Sequence, residues 1–79
     1  MKKKYQVLYN NEVIGTRKSE RDYTHAVVII YNDGTKKVES YSNGLDKALK
    51  VARTTKNYVS DPNRFSITPT VEVVQVQTA

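Results

Sequence analysis

Tyr23-Thr24-His25-Ala26-Val27-Val28-Ile29-Ile30-Tyr31 runs directly into Asn32-Asp33-Gly34, and this stretch decides how the chain folds. Its first nine residues are dense in β-branched and aromatic side chains, the composition that suits a pleated surface, so they read as a strand. Side chains alternate across a strand, which puts Val27 and Ile29 on one side and Ala26, Val28 and Ile30 on the other. A strand that is apolar on both sides belongs in the middle of a sheet. Asp33-Gly34 suits a type I′ turn or a Gly bulge, so Thr35–Tyr41 is expected to return antiparallel.

Toward the N-terminus the pattern repeats. Lys4–Tyr9 alternates, with Tyr5, Val7 and Tyr9 on one face and Gln6 and Leu8 on the other. Asn10-Asn11 follows, and Asn tolerates the positive φ that primed hairpin turns require. Glu12–Lys18 then returns antiparallel, interrupted by Gly15, which inside a strand marks a bulge or a close backbone approach. Lys18–Asp22 is a polar connection between the two hairpins.

Toward the C-terminus the period changes. Leu45, Ala48, Leu49 and Ala52 recur at i, i+3, i+4 and i+7, an apolar stripe that predicts a helix over Gly44–Lys56 with Leu49 buried. Asn43 is the expected N-cap, Asp46 suits the positive end of the dipole, and Asn57 is placed to close the helix in αL. Asp61-Pro62-Asn63 is turn chemistry, which makes Tyr58–Arg64 a loop. Phe65–Gln77 reads as a last strand or two, broken at Pro69, which has no N–H for a ladder. Val71/Val73 and Val74/Val76 fall on opposite faces, which implies a bulge or burial on both sides.

The fold class is therefore α+β: an antiparallel sheet of four to five strands with one helix packed on one face, in the order β-β-β-β-α-β. One helix covers one face of such a sheet. The other face is expected to be open to solvent, or covered by a ligand or by a second copy in a homodimer.

Length and composition bound the rest. The 79 residues allow a single small domain, 1–79. Folding a chain of this size buries only about 60–65% of its surface, so the core is small. With no cysteine there is no disulfide framework and no thiolate metal site. The longest apolar run, Ala26–Tyr31, is far short of the roughly 20 residues a membrane span needs. Met1-Lys2-Lys3-Lys4 resembles a signal n-region, yet Tyr5–Asn11 is too polar for an h-region. A cytoplasmic protein is the expectation.

Catalysis finds little footing. His25 is the only histidine, so a two-His metal site is impossible, and His-containing triads would all depend on it. The carboxylates are scattered, and Gly15-Thr16-Arg17-Lys18-Ser19 lacks the glycine spacing of a phosphate loop. The expectation is no enzyme, no cofactor and no metal.

Charge points toward binding. Thirteen Lys/Arg against eight Asp/Glu give a net charge of +5, and the cations cluster. Arg17, Lys18 and Arg21 sit on the loop between the two hairpins, while Lys47 and Lys50 lie on the helix opposite its apolar stripe and Arg53 on its flank. Such a surface attracts phosphate through counterion release, which makes nucleic acid the first expected partner. Net charge of this size also serves solubility alone. Tyr5 and Tyr9 share one strand face, and Tyr23, His25 and Tyr31 share another. Rings on a sheet face are stacking platforms for single-stranded bases, or they complete the core with their hydroxyls at the rim. Tyr and Arg are also the residues that protein interfaces enrich, so a host protein bound through a Tyr/Arg surface is the second expected partner.

The segment from Gly15 to Val28, in which the basic stretch Gly15-Thr16-Arg17-Lys18-Ser19-Glu20-Arg21-Asp22 runs into Tyr23-Thr24-His25-Ala26-Val27-Val28, resembles small bacteriophage-type accessory proteins. It covers under a fifth of the chain. The resemblance implies an early or accessory viral protein that works in the host cytoplasm. There it would bind a host or nucleic-acid target, as an inhibitor of a defence system. It carries no assigned site residue.

Overall fold

A computed structural model describes Lys2–Thr78. The elements run β1 (Lys3–Tyr9), β2 (Glu12–Ser19), β3 (His25–Ile30), β4 (Lys36–Ser42), α1 (Leu45–Val59) and β5 (Thr70–Thr78). All strand pairs are antiparallel, and the five form one sheet in the order β2-β1-β5-β3-β4. The α+β class and the order β-β-β-β-α-β hold.

The last strand lies at the centre. β5 pairs with β3 in unbroken register from Ile30↔Thr70 to His25↔Gln75, and with β1 at Val7↔Val76. Its two valine pairs thus need no bulge. Val71 and Val73 pack toward the helix, and Val74 and Val76 pack on the opposite side. Pro69 sits one residue outside the ladder.

Both hairpins turn where expected. Asn10 and Asn11 adopt φ of 51° and 65°, the pair of positive values a type I′ turn requires. At the second turn Gly34 alone carries positive φ, so the Gly-bulge alternative is the one realised. There the Gly34 N–H donates to the Tyr31 carbonyl at 3.0 Å and the Thr35 N–H to Asp33 Oδ1 at 2.9 Å. The Asp33 carboxyl is held below its ordinary pKa by these Thr35 hydrogen bonds.

The expected bare sheet face is not bare. Register slips between Val7 and Leu8 on the β1–β2 ladder, where Ile14 is the extra residue. It slips again between Val27 and Val28 on the β3–β4 ladder, where Glu39 is the extra residue. Each bulge bends its strand and deepens the twist. The sheet consequently curls until its two outer strands touch: a Cβ on Gly15 would lie 2.5 Å from Val38 Cγ2. Both readings of Gly15, bulge and close approach, are realised together. Inside the curl Val7, Ala26 and Val28 are wholly buried among Ile14, Val38 and Val74. The chain's own curvature does what a second copy or a ligand was expected to do.

On the other side α1 lies over β5, β3 and β4. Ala48, Ala52, Thr55 and Val59 face the sheet and pack with Val27, Ile29 and Val71. This corrects the predicted stripe. Leu45 and Leu49 are each 50% exposed, because they flank the helix on the side of β1 and β2, over which it does not lie. The two alanines let the helix axis approach the sheet more closely than leucine would. The helix also runs to Val59, three residues beyond the expected end, and Ser60 rather than Asn57 terminates it in αR. Asn43 makes no cap. Gly44, at φ 119°, is the N-cap, and its N–H donates to Thr24 Oγ1 at 2.8 Å, tying the helix start to the entry of β3. Among the described residues no helix is long and apolar enough to cross a membrane.

Candidate nucleic-acid interface

β2 extends through Ser19, so Arg17 and Lys18 are strand neighbours rather than loop residues, and they point to opposite faces. Arg17 pairs with Tyr5 across the ladder and follows it to the concave side. Its guanidinium carbon stands 5.4 Å from the Tyr23 ring centre and 5.6 Å from that of Tyr41. The rings also pack on one another: Tyr23 meets Tyr5 edge-on at 5.3 Å and Tyr41 at 5.4 Å. Each cation–ring contact contributes about 0.5–2 kcal/mol, more as water is excluded. Burial raises the Tyr41 phenol pKa, and the Arg17 charge opposes that rise.

Tyr5 is only 3% exposed. Its hydroxyl donates to the Arg21 carbonyl at 2.8 Å and accepts the Tyr23 N–H at 3.4 Å. It therefore anchors the loop that presents Arg21, and it is not itself a surface residue. Beside that loop Asp22 is paired with Lys3, which raises the Lys3 pKa through the hydrogen bond and the charge. Lys18, on the outer face, stands directly opposite Lys4.

The fold brings Arg21 and Lys47 together. Both line a cleft of about 540 Å³ with Tyr23, Tyr41, Val51 and the carboxylates Glu20 and Asp22, at the N-terminal end of α1. Lys47, Lys50 and Arg53 are exposed and span the outer arc of the helix, with Lys50 between the other two. The ion pairs among the described residues are Lys3–Asp22, Lys37–Glu39 and Arg64–Asp61. None engages the cations of the helix arc. On the far flank Arg53 borders a groove with Leu49, Lys56, Val71 and Val73.

The remaining aromatic and histidine candidates scatter. Tyr23 precedes β3, so strand alternation does not reach it, and it joins Tyr5 and Tyr41 rather than His25 and Tyr31. His25 lies on the helix-side alternation of β3, with Nδ1 2.8 Å from Thr24 Oγ1. Tyr31 packs on Phe65 at 6.3 Å. Tyr9 keeps its predicted face but sits at the opposite end from Tyr5's cluster, with Lys36 Nζ 5.7 Å from its ring centre. The Glu72 carboxylate beside it raises its phenol pKa.

Two aromatic positions escaped the sequence reading. Tyr41 lies beyond the β4 bulge, whose position no local pattern announces. Tyr58 opens the stretch whose turn chemistry predicts a loop, yet it lies in the last turn of α1, with the Arg64 guanidinium 4.9 Å from its ring centre. Among the described residues no group of three or more His, Asp or Glu side chains could hold a metal ion. The cleft and the arc offer cations for phosphate and rings for stacking. No protein-family model, curated protein or solved structure matches this chain.

Proposed function

We propose that this is a non-enzymatic basic domain that contacts nucleic acid through the outer arc of α1 and the cleft beside it. One observation carries the reading. Lys47, Lys50 and Arg53 are exposed and unpaired with any carboxylate among the described residues, and Lys47 continues into the cleft that holds Arg21, Tyr23 and Tyr41. Cations held by a rigid helix keep their water until a phosphate arrives, and binding then gains the entropy of released counterions. The likeness of Gly15–Val28 to phage accessory proteins is consistent with a nucleic-acid or host target in the cytoplasm.

The test is the double reversal Lys47→Glu/Lys50→Glu. Nucleic-acid affinity at low salt should fall for all sequences alike, while stability changes by only a few tenths of a kcal/mol. Affinity of the unmodified protein should fall with salt on a log–log slope that reports a few phosphates. A protein that binds no nucleic acid at low salt refutes the proposal. A second reading, a host-protein partner, is favoured by Leu45 and Leu49, which leave half their surface in water one helical turn apart. Its signature is capture from host lysate that survives nuclease and is lost in Leu45→Asp/Leu49→Asp.

A further inference from the structure

We infer that the nucleic acid taken is single-stranded, and that a second base-stacking station lies at the C-terminal end of α1, in the cup formed by Tyr31, Tyr58 and Phe65. This rests on the nucleic-acid reading above and deepens it.

The cup holds about 390 Å³, with Ile29 and Val59 among its lining. Phe65 lies 6.3 Å from Tyr31 and 6.2 Å from Tyr58, the latter nearly perpendicular at 74°. Tyr58 leaves 52% of its surface exposed in a domain short of apolar material for its core. That ring is nevertheless held in place. Arg64 covers it at 4.9 Å and donates from Nη1 to its hydroxyl at 3.2 Å, while Arg64 Nε is fixed to Asp61 at 3.5 Å. A ring that is both exposed and oriented is a stacking platform on the side that Arg64 leaves open, because stacking costs little ordering when the ring is already fixed.

Position links this cup to the first cleft. Lys47, Val51, Thr54 and Tyr58 recur at i, i+4, i+7 and i+11, one line along the helix, and the two hollows lie on it. Both open between α1 and β4: Tyr41 and Ser42 line the first, Lys37 and Glu39 the second. Eleven residues of helix separate Lys47 from Tyr58, about 16 Å. The path therefore has an aromatic station at each end. Of the carboxylates along it, Asp22, Glu39 and Asp61 are paired with Lys3, Lys37 and Arg64, and Glu20, at the first cleft, is left to the cations around it. Arg21, Lys47 and the neighbouring Lys50 remain for phosphate.

A groove bounded by a helix on one side and a strand on the other admits a flexible strand with its bases turned inward. In a duplex the bases already stack on one another, and only the outer arc of α1 would reach its phosphates. Tyr58 would then have no role.

The measurement is fluorescence anisotropy with a labelled single-stranded oligothymidylate and a duplex of equal length at one salt concentration. Unmodified protein should bind the single strand more tightly. Tyr58→Ala should weaken single-strand binding by about 5- to 100-fold, as expected for loss of one base–aromatic stack, and leave duplex binding unchanged. Tyr58→Phe should restore it, since the ring remains. Equal or tighter binding of duplex, or a Tyr58→Ala protein with unchanged single-strand affinity, overturns the inference. The broader reading survives that outcome if Lys47→Glu/Lys50→Glu still weakens binding. Absence of binding to either nucleic acid overturns both.

Discussion

Replacing Gly15 with alanine tests the closure on which the second core depends. The new Cβ would lie 2.5 Å from Val38 Cγ2 and 3.3 Å from both Val38 Cβ and the Tyr41 hydroxyl. Carbon atoms sit comfortably at about 3.5–4.0 Å, so the closest contact is short by about 1 Å or more. Gly15 has no positive φ, unlike Gly34 and Gly44, and the substitution carries no backbone strain. The cost is therefore steric. Val38 is β-branched and stiff at χ1, so relief requires β2 and β4 to part. Overpacking of this kind costs about 1–3 kcal/mol, and the better strand-forming tendency of alanine returns about 0.5–1 kcal/mol. The net loss should be about 0–2.5 kcal/mol, read from urea unfolding followed by circular dichroism and extrapolated linearly to water. Val38→Ala in the Gly15→Ala background removes the offending methyl. The double-mutant cycle should return a favourable coupling of about 1–2 kcal/mol. A stabilised Gly15→Ala protein, or a coupling of zero, would mean that the outer strands do not touch and that the sheet is open.

The helix face gives a sharp contrast. Val27→Ala, at a wholly buried site, should cost about 2–3 kcal/mol, whereas Leu49→Ala should cost no more than about 1 kcal/mol because half of that side chain is in water. Equal losses for the two in chemical denaturation would place the helix the other way round. At alkaline pH the fold should lose stability. The phenols of Tyr9 and Tyr41 and the ammonium of Lys3 all titrate above their ordinary values in the folded chain. Their contribution is complete below the unfolded values of about 10 and is lost as pH rises through the folded ones. Tyr41→Phe should flatten that decline, and an identical slope in the variant would remove Tyr41 from the account.

Periodicity and turn chemistry were enough for the elements. Alternating apolar residues, two Asn/Gly turns and one stripe of helical period recovered the hairpins, the helix and the α+β order, because these features act between residues close in the chain. The central place of the last strand was foreshadowed by its valines on both faces. What local pattern could not supply was curvature. The bulges at Ile14 and Glu39 add one residue each, and neither leaves a compositional trace except Gly15. Yet together they turn an expected open face into a second core and remove the need for a covering partner. The buried face of α1 went the same way. Leu45 and Leu49 are the most apolar residues of its first turns, but burial depends on which strands lie beneath, and those are Ala48 and Ala52's neighbours β5, β3 and β4.

The candidate site divides along the same line. Arg17, Arg21 and Lys47 were legible as cations, since charge is a property of the residue. That Arg17 parts from Lys18, that Arg21 meets Lys47, and that Tyr41 and Tyr58 supply the rings of the path all depend on long-range approach. Residue chemistry told which groups were available, and the curl of the sheet and the seat of the helix set which of them face the same water.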